Sequence, residues 1–284
     1  MITLVLTNRN RDLRIVKNCL QSLHEQTCVD FELFLVDYGS NESYKSQLVE
    51  LLKHYSKFKY IDCPVQGQLW HKCRAINMAL KQTTKPYFIV GDIDLIFAPN
   101  FIEKATTLAK PNQVHYFQCG FLSKEESLEN KNFNSYQIAF KGNEEVTGNA
   151  LFPTSALKAI HGYDEFYHGW GAEDTDVHIR MRNAGYQVLF YNEAIFVKHQ
   201  WHSKVYRSKS SVHPFHSELE RINHSYMLLS ERTQRTKVNR DIEWGNQPTI
   251  EDYEKLTTIK NGIKLKSRVV EVSAILAQMA NLKN

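Results

Sequence analysis

The sequence predicts an α/β fold, with a mostly parallel central sheet and helices on both faces. Two observations predict it. Apolar, β-like runs alternate with segments of helical periodicity through the first 98 residues. Composition is ordinary globular, 42% hydrophobic and 23% charged over 284 residues, enough chain for a sizeable core.

Ile2 to Leu6 reads as a buried strand. Asp12 to Gln26 reads as a helix, with Leu13, Val16, Leu20 and Leu23 at spacings of three and four. Phe31 to Val36 is a second strand, and Ser43 to Tyr55 a helix through Tyr44, Leu48, Leu51 and Tyr55. Phe58 to Ile61 is a short strand. Leu69 to Leu80 is helical through Leu69, Cys73, Ile76 and Leu80, and Pro86 to Val90 is a strand. Open α/β sheets bind ligands at the carboxyl ends of their strands. Three polar clusters stand there: Thr7 to Arg11, Asp37 to Ser40, and Asp92-Ile93-Asp94.

Beyond Phe97 the pattern loosens. Val114 to Gln118 reads as a strand, Lys124 to Lys131 as a charged surface segment, and Asn149 to Phe152 as a strand. Thr154 to Ile160 is a short helix after Pro153. Gln187 to Tyr191 and Ala194 to Val197 are strands. From about residue 206 the chain is expected to form a loop and then helical segments. Leu265, Val269, Val272, Leu276 and Met279 recur at spacings of four and three. Two heptads are too short to define a coiled coil.

Several classes are excluded. No run of about 18 apolar residues crosses a bilayer. GxGxxG and GxxxxGK[ST] are absent, so neither a dinucleotide fingerprint nor a P-loop is indicated. Five cysteines without a CxxC argue for free thiols in a reducing compartment. The start, MITLVLTNRNR, lacks the features of a signal peptide, so a cytoplasmic protein is expected. Net charge is +4, and residues 203–284 carry 14 Lys+Arg against 9 Asp+Glu. No dense basic face with interleaved aromatics indicates nucleic acid. The basic tail suits peripheral attachment at the inner face of the plasma membrane, or self-association through the apolar seam. A helix simply packed on the main domain is the plainer expectation.

The chain is organised around Gly162 to Asp176, GYDEFYHGWGAEDTD. Helical periodicity begins there, with Val177, Met181 and Ala184 apolar and Gly185 as the stop. Glu173, Asp174 and Asp176 therefore sit in or near the first turn, where the macrodipole favours anions. Trp170 beside carboxylates suits a sugar, whose C–H face is apolar and whose rim is hydroxyls. Asp92 and Asp94 form the second constellation. One of them can hold Mg²⁺ or Mn²⁺ while the other binds a ribose. His199 is a candidate added ligand, with His202, His213 and His216 competing.

These pieces resemble an inverting glycosyltransferase of family 2 type with a GT-A fold. The second half is similar to beta-1,4-galactosyltransferases and bacterial chondroitin polymerases. The resemblance covers roughly residues 1–203, through LVLTNRNR, FELFLVDYGS, KCRAINMAL, GDIDLIF, GNALFP, GYDEFYHGWGAEDTDVHIRMRNAGY and VKH. It implies a transferase domain over 1–205, with a nucleotide-sugar half (1–98) and an acceptor half (99–205), followed by a helical extension over 206–284. Thr7, Arg9, Asp37 and Arg74 would line the uridine and diphosphate pocket, and Asp92 would meet the ribose. Asp94 and His199 would bind Mn²⁺ or Mg²⁺. Trp170 and Glu173 would hold the acceptor, and Asp174 would be the general base. Tyr38 stands where the family usually has a second Asp, and stacking on the base is expected of it. Ala172 replaces a frequent glycine.

The implied partners are a nucleotide sugar of the UDP-galactose or UDP-N-acetylgalactosamine kind and a glycan or lipid-linked saccharide acceptor, in surface polysaccharide synthesis. Two other classes share the sheet pattern. A sugar-1-phosphate nucleotidyltransferase wants a glycine-rich basic loop after the first strand, and TNRNRD has no glycine. A non-catalytic carbohydrate-binding protein on the same fold is the third reading.

Overall fold

A computed structural model describes residues 1–55, 58–203, 216–260, 262, 264, 266 and 268–281. The expected alternation opens it. β1 (Ile2–Asn8), α1 (Leu13–His24), β2 (Phe31–Tyr38), α2 (Glu42–Leu52), β3 (Phe58–Cys63), α3 (Lys72–Gln82) and β4 (Tyr87–Asp92) follow in order. Asp12 caps α1 by accepting from the Arg14 amide at 2.8 Å. The period of two in β1 builds two layers. Ile2, Leu4 and Leu6 face a core shared with Val16, Leu20 and Phe101, and Val5 faces one shared with Ile76 and Leu80.

Helix α3 starts three residues later than its apolar spacing predicts. His71 has a non-helical backbone, and the Trp70 carbonyl accepts from the Gly169 amide at 2.8 Å. That bond ties the entry of α3 to the segment before the carboxylates.

The second half contains β5 (Leu95–Phe97), α4 (Phe101–Leu108), β6 (Gln113–Phe117), β7 (Cys119–Leu122), β8 (Ile138–Lys141), β9 (Ala150–Pro153) and α5 (Thr154–Ala159). α6 (Glu173–Asn183), β10 (Gln187–Tyr191) and β11 (Val197–His199) complete it. A seven-stranded sheet runs β10-β6-β9-β4-β1-β2-β3, parallel except for β9, which is antiparallel to both neighbours. A four-stranded sheet runs β5-β11-β7-β8. The strand expected over 194–197 falls later because Val197–His199 pair with both Phe97–Leu95 and Cys119–Phe121, partners remote in sequence.

Gly185 ends α6 as expected. Its φ is +89°, its amide donates to the Arg182 carbonyl, and the Tyr186 amide reaches Met181 O at 3.0 Å. These two bonds form a Schellman motif. Val177 and Met181 are buried, but Ala184 is exposed at the C-cap.

Three further helices follow, α7 (His216–Arg232), α8 (Ile250–Thr258) and α9 (Val269–Asn281). Leu219 and Ile222 of α7 pack with Val272 and Leu276 of α9 around Phe166. The Arg180 guanidinium, fully buried, donates to Asp176 Oδ2 at 2.6 Å and to the Gly162 carbonyl at 3.0 Å, and it also meets the Thr236 carbonyl. The Asn239 amide group donates to the His161 and Tyr163 carbonyls. Val272 and Leu276 of the seam are thus buried within this chain, which favours the packed-helix expectation over self-association through them. Leu265 and the Met279 side chain lie outside the described residues. Among the described residues no helix is long and apolar enough to cross a membrane.

Candidate active site

The strand ends converge as the topology requires. β1 lies between β2 and β4, with Thr7 opposite Val36 and Asp92, and Asn8 opposite Asp37. Asp37 is fully buried and accepts from Asn8 Nδ2 at 3.2 Å and from the Ser40 hydroxyl. Burial raises its carboxyl to about 6. Arg9 donates to the carbonyls of Tyr38 at 2.6 Å, Gln68 at 2.9 Å and Val65 at 3.3 Å. It therefore clamps three loops together. Gly39 permits this packing, since a Cβ there would stand 2.7 Å from the Arg9 Nη2.

Tyr38 does not offer a stacking face. It is buried, with its ring edge-on to Trp70 at 6.1 Å and His71 at 6.2 Å. Arg74 lies close by, its Nε 3.5 Å from Glu165 Oε2, and it is partly exposed. Thr7 is buried.

The carboxylate group forms around a lysine that the motif reading did not single out. Lys72 Nζ lies 3.0 Å from Asp92 Oδ1, 3.3 Å from Glu173 Oε1 and 3.1 Å from Asp174 Oδ2. Lys72 is the first residue of α3, where a cation opposes the macrodipole. That mismatch was the available sequence signal, and its cause is the three carboxylates arriving from β4 and α6. Burial lowers the pKa of the ammonium, but Asp174, Asp92 and Glu173 outweigh it and hold the group firmly charged.

Asp174 is pushed up to about 8. Burial is the largest cause; Lys72 opposes it, and Glu173 and Asp92 add to it. Its Oδ1 is buried and has no hydrogen-bond partner among the described residues. An orphaned buried carboxylate oxygen calls for a missing donor. Gly148 lets this group close up, since a Cβ there would stand 3.0 Å from Asp92 Oδ2 and 3.1 Å from Asp174 Oδ2. Asp176, by contrast, turns away to Arg180.

Ala172, just before Glu173, has φ +71°, a left-handed backbone that favours glycine. It sets the turn that presents Glu173 and Asp174. Trp170 is 39% exposed and lines a cavity of about 850 Å³. Thr147, Thr175, Arg182, Glu220 and His224 line it too, so α7 forms one wall. The cavity adjoins the carboxylates, because Thr147 precedes Gly148 and its hydroxyl lies 3.3 Å from that of Thr175.

Asp94 diverges from Asp92 because the chain turns at Ile93 and Asp94 on leaving β4, where a continuing strand would put both on one face, and it faces β11. Its Oδ1 is 3.7 Å from His199 Nε2, and its Oδ2 is 3.2 Å from His202 Nε2 and 3.3 Å from Arg11 Nη2. One ligand atom from each of Asp94, His199 and His202 falls within 4.8 Å of the others. Burial alone would raise the Asp94 carboxyl, but His199, His202 and Arg11 outweigh it and hold it well below the usual range. Burial lowers the pKa of His199 against the pull of Asp94, which favours the neutral form that ligates metals. Asp94 Oδ1 is buried without a hydrogen-bond partner among the described residues. This donor set fits Mn²⁺, with His202 joining His199 rather than replacing it. His213 and the His216 side chain lie outside the described residues.

The family model for glycosyl transferase family 2 matches residues 3–161, and that for the N-terminal domain of galactosyltransferase matches 130–203. A curated relative is the teichoic acid poly(glycerol phosphate) polymerase of Staphylococcus epidermidis, 32% identical over 94 residues. The match covers 33% of this chain and 12% of that protein. Among solved structures, mannosyltransferase PcManGT from Pyrobaculum calidifontis, in complex with GDP-Man and Mn²⁺, is similar with TM-score 0.54 and 15% identity, over 80% of this chain and 64% of that one. S. aureus TarS 1–349 in complex with UDP is similar with TM-score 0.55 and 14% identity, over 82% and 68%. Its complex with UDP-GlcNAc gives 0.52 and 15%, over 71% and 59%. These likenesses show the fold, the GT-A arrangement.

Proposed function

This chain belongs to glycosyl transferase family 2, and we propose that it is a metal-dependent, inverting hexosyltransferase. The donor is a nucleotide sugar, and the acceptor is a glycan or a lipid-linked saccharide. The observation that carries this reading is Asp174, whose Oδ2 meets Lys72 while Oδ1 stands buried and unmatched among the described residues. A hydroxyl of the acceptor supplies the missing donor.

A sugar hydroxyl is a weak nucleophile until its proton leaves. Asp174 takes that proton as the oxygen attacks the anomeric carbon. The bond to the diphosphate breaks on the opposite face, and the anomeric centre inverts. The raised pKa makes the Asp174 carboxylate a stronger base than an ordinary aspartate, and such catalysis contributes about 10²–10⁴. Glu173 and Trp170 orient the acceptor; Trp170 stands at a cavity wide enough for saccharide units beyond the reacting one. Misplacement by an ångström costs about 10² in rate.

Thr7, Arg9, Asp37, Arg74 and Asp92 form the nucleotide side. Arg9 and Asp37 act through the loops they fix, and Arg74 and Asp92 are the partly exposed members. Tyr38 acts as a packed support rather than a stacking partner. Asp94, His199 and His202 would hold the metal, which when bound neutralises charge on the departing diphosphate.

Solved structures of this fold hold UDP, UDP-GlcNAc or GDP-Man, so the fold suits a nucleotide sugar without selecting the base. The teichoic acid polymerase relative supports a surface polymer as the product class. We assign residues 1–205 to transfer and 206–284 to a supporting helical extension in a protein of the cytoplasm and its membrane face.

The experiment is a panel of UDP- and GDP-sugars, tested for binding with and without Mn²⁺ and for nucleotide release with saccharide acceptors. The proposal expects Mn²⁺-dependent binding of at least one donor and release that needs the acceptor. Pyrophosphate release from a sugar phosphate and a nucleoside triphosphate would overturn it in favour of nucleotidyl transfer. Saccharide binding with no donor binding would overturn it in favour of a lectin-like protein.

A further inference from the structure

Helix α8 buries none of its residues. Ile250, Leu256 and Ile259 are exposed, as is Val270 at the start of α9. From Lys255 to Arg268 the sequence holds five cations, Lys255, Lys260, Lys264, Lys266 and Arg268, and no carboxylate. Lys255 meets Asp252 at 3.8 Å and Arg268 meets Glu271 at 4.0 Å, both at the outer limit of an ion pair. Lys260, Lys264 and Lys266 have no ion pair among the described residues and stand exposed. Cations and large apolar side chains therefore share one exposed stretch.

Cations beside exposed aliphatic side chains select the partner. A soluble anionic polymer would recognise the cations and gain nothing from Leu256 and Ile259. The boundary of an anionic bilayer takes both, with lysines at the headgroups and aliphatic side chains below them. We infer that Leu256 and Ile259, with Lys255, Lys260, Lys264, Lys266 and Arg268, dock this protein on an anionic lipid surface. This surface is separate from the candidate active site and does not depend on the reaction assigned to it. Packing of α9 through Val272 and Leu276 fixes one end of the segment to the domain.

The test is sedimentation of the full chain with vesicles of equal parts phosphatidylglycerol and phosphatidylcholine, against phosphatidylcholine alone. Binding is expected only to the anionic vesicles, and weaker at high salt. Lys260→Gln/Lys264→Gln/Lys266→Gln should lower partitioning by about a hundredfold, at the usual contribution per cation. Leu256→Ser/Ile259→Ser should lower it by at least about tenfold. Circular dichroism should show both variants folded like the parent. Equal binding to neutral vesicles would overturn the inference, as would either folded variant binding like the parent. Capture by soluble polyphosphate, undiminished in Leu256→Ser/Ile259→Ser and without vesicle binding, would assign the surface to a polymer instead.

Discussion

Lys72 Nζ lies 3.1 Å from Asp174 Oδ2, while Asp174 Oδ1 has no hydrogen-bond partner among the described residues. One oxygen of the carboxylate is thereby anchored and the other left for substrate. Lys72 also lowers the basicity of Asp174, against the burial that raises it. Replacing Lys72 by Met should therefore move the acid limb of the kcat/KM profile to higher pH. It should also destabilise the fold by about 3–5 kcal/mol, because three carboxylates lose their shared counter-ion. Denaturant unfolding and pH–rate profiles check both. An acid limb that stays put or moves down would contradict this role for Lys72.

The same shift has a consequence for stability. Asp174 has a folded pKa of about 8 against an ordinary 3.8, so the folded state holds its proton more tightly. That contribution is full below about 3.8 and is lost as pH rises through about 8. Asp174→Asn should abolish this part of the pH dependence. The parent should lose stability relative to Asp174→Asn as pH rises across that window. Parallel stability curves for the two proteins would contradict the shift.

At the metal cluster, Asp94→Ala should abolish Mn²⁺-dependent binding of the nucleotide. His199→Ala and His202→Ala should each weaken it by more than about tenfold, since both imidazoles face Asp94. Calorimetry with Mn²⁺ and UDP measures this. Full affinity in His202→Ala would return the ligand role to His199 alone.

Ala172 carries φ +71° where glycine would be unstrained. Ala172→Gly should raise stability by about 1 kcal/mol. A lower melting temperature in Ala172→Gly would show that its methyl group packs favourably enough to outweigh the strain.

Val272 and Leu276 are buried against α7 and Phe166. Deleting residues 269–284 should cost about 3–6 kcal/mol, the burial of two aliphatic side chains. The oligomeric state in solution should not change. A loss of oligomer on deletion, with stability intact, would instead assign the seam to self-association.

The first half was legible because its signals are local. β1 to β4 follow from apolar runs, whereas the divergence of Asp92 and Asp94 comes from the turn after β4. What stayed hidden depends on long-range pairing. Lys72 acquires its role only when β4 and α6 bring three carboxylates to α3. β11 is placed by β5 and β7, so its residues could not be fixed from their own composition. Helix α4 had a readable apolar set in Phe101, Ile102 and Ala105, but it is only eight residues long. Tyr38 occupies a position that resemblance gives to a ligand-reading residue, yet its size lets it fill the core between Trp70 and His71.

The central claim is that Asp174 is the base, and Asp174→Asn tests it most directly. The substitution keeps size and removes the proton acceptor. Acceptor-dependent nucleotide release should fall by about 10²–10⁴ in kcat, with donor and Mn²⁺ affinity nearly unchanged and the protein folded. An Asp174→Asn protein that transfers sugar at the parent rate would contradict the account.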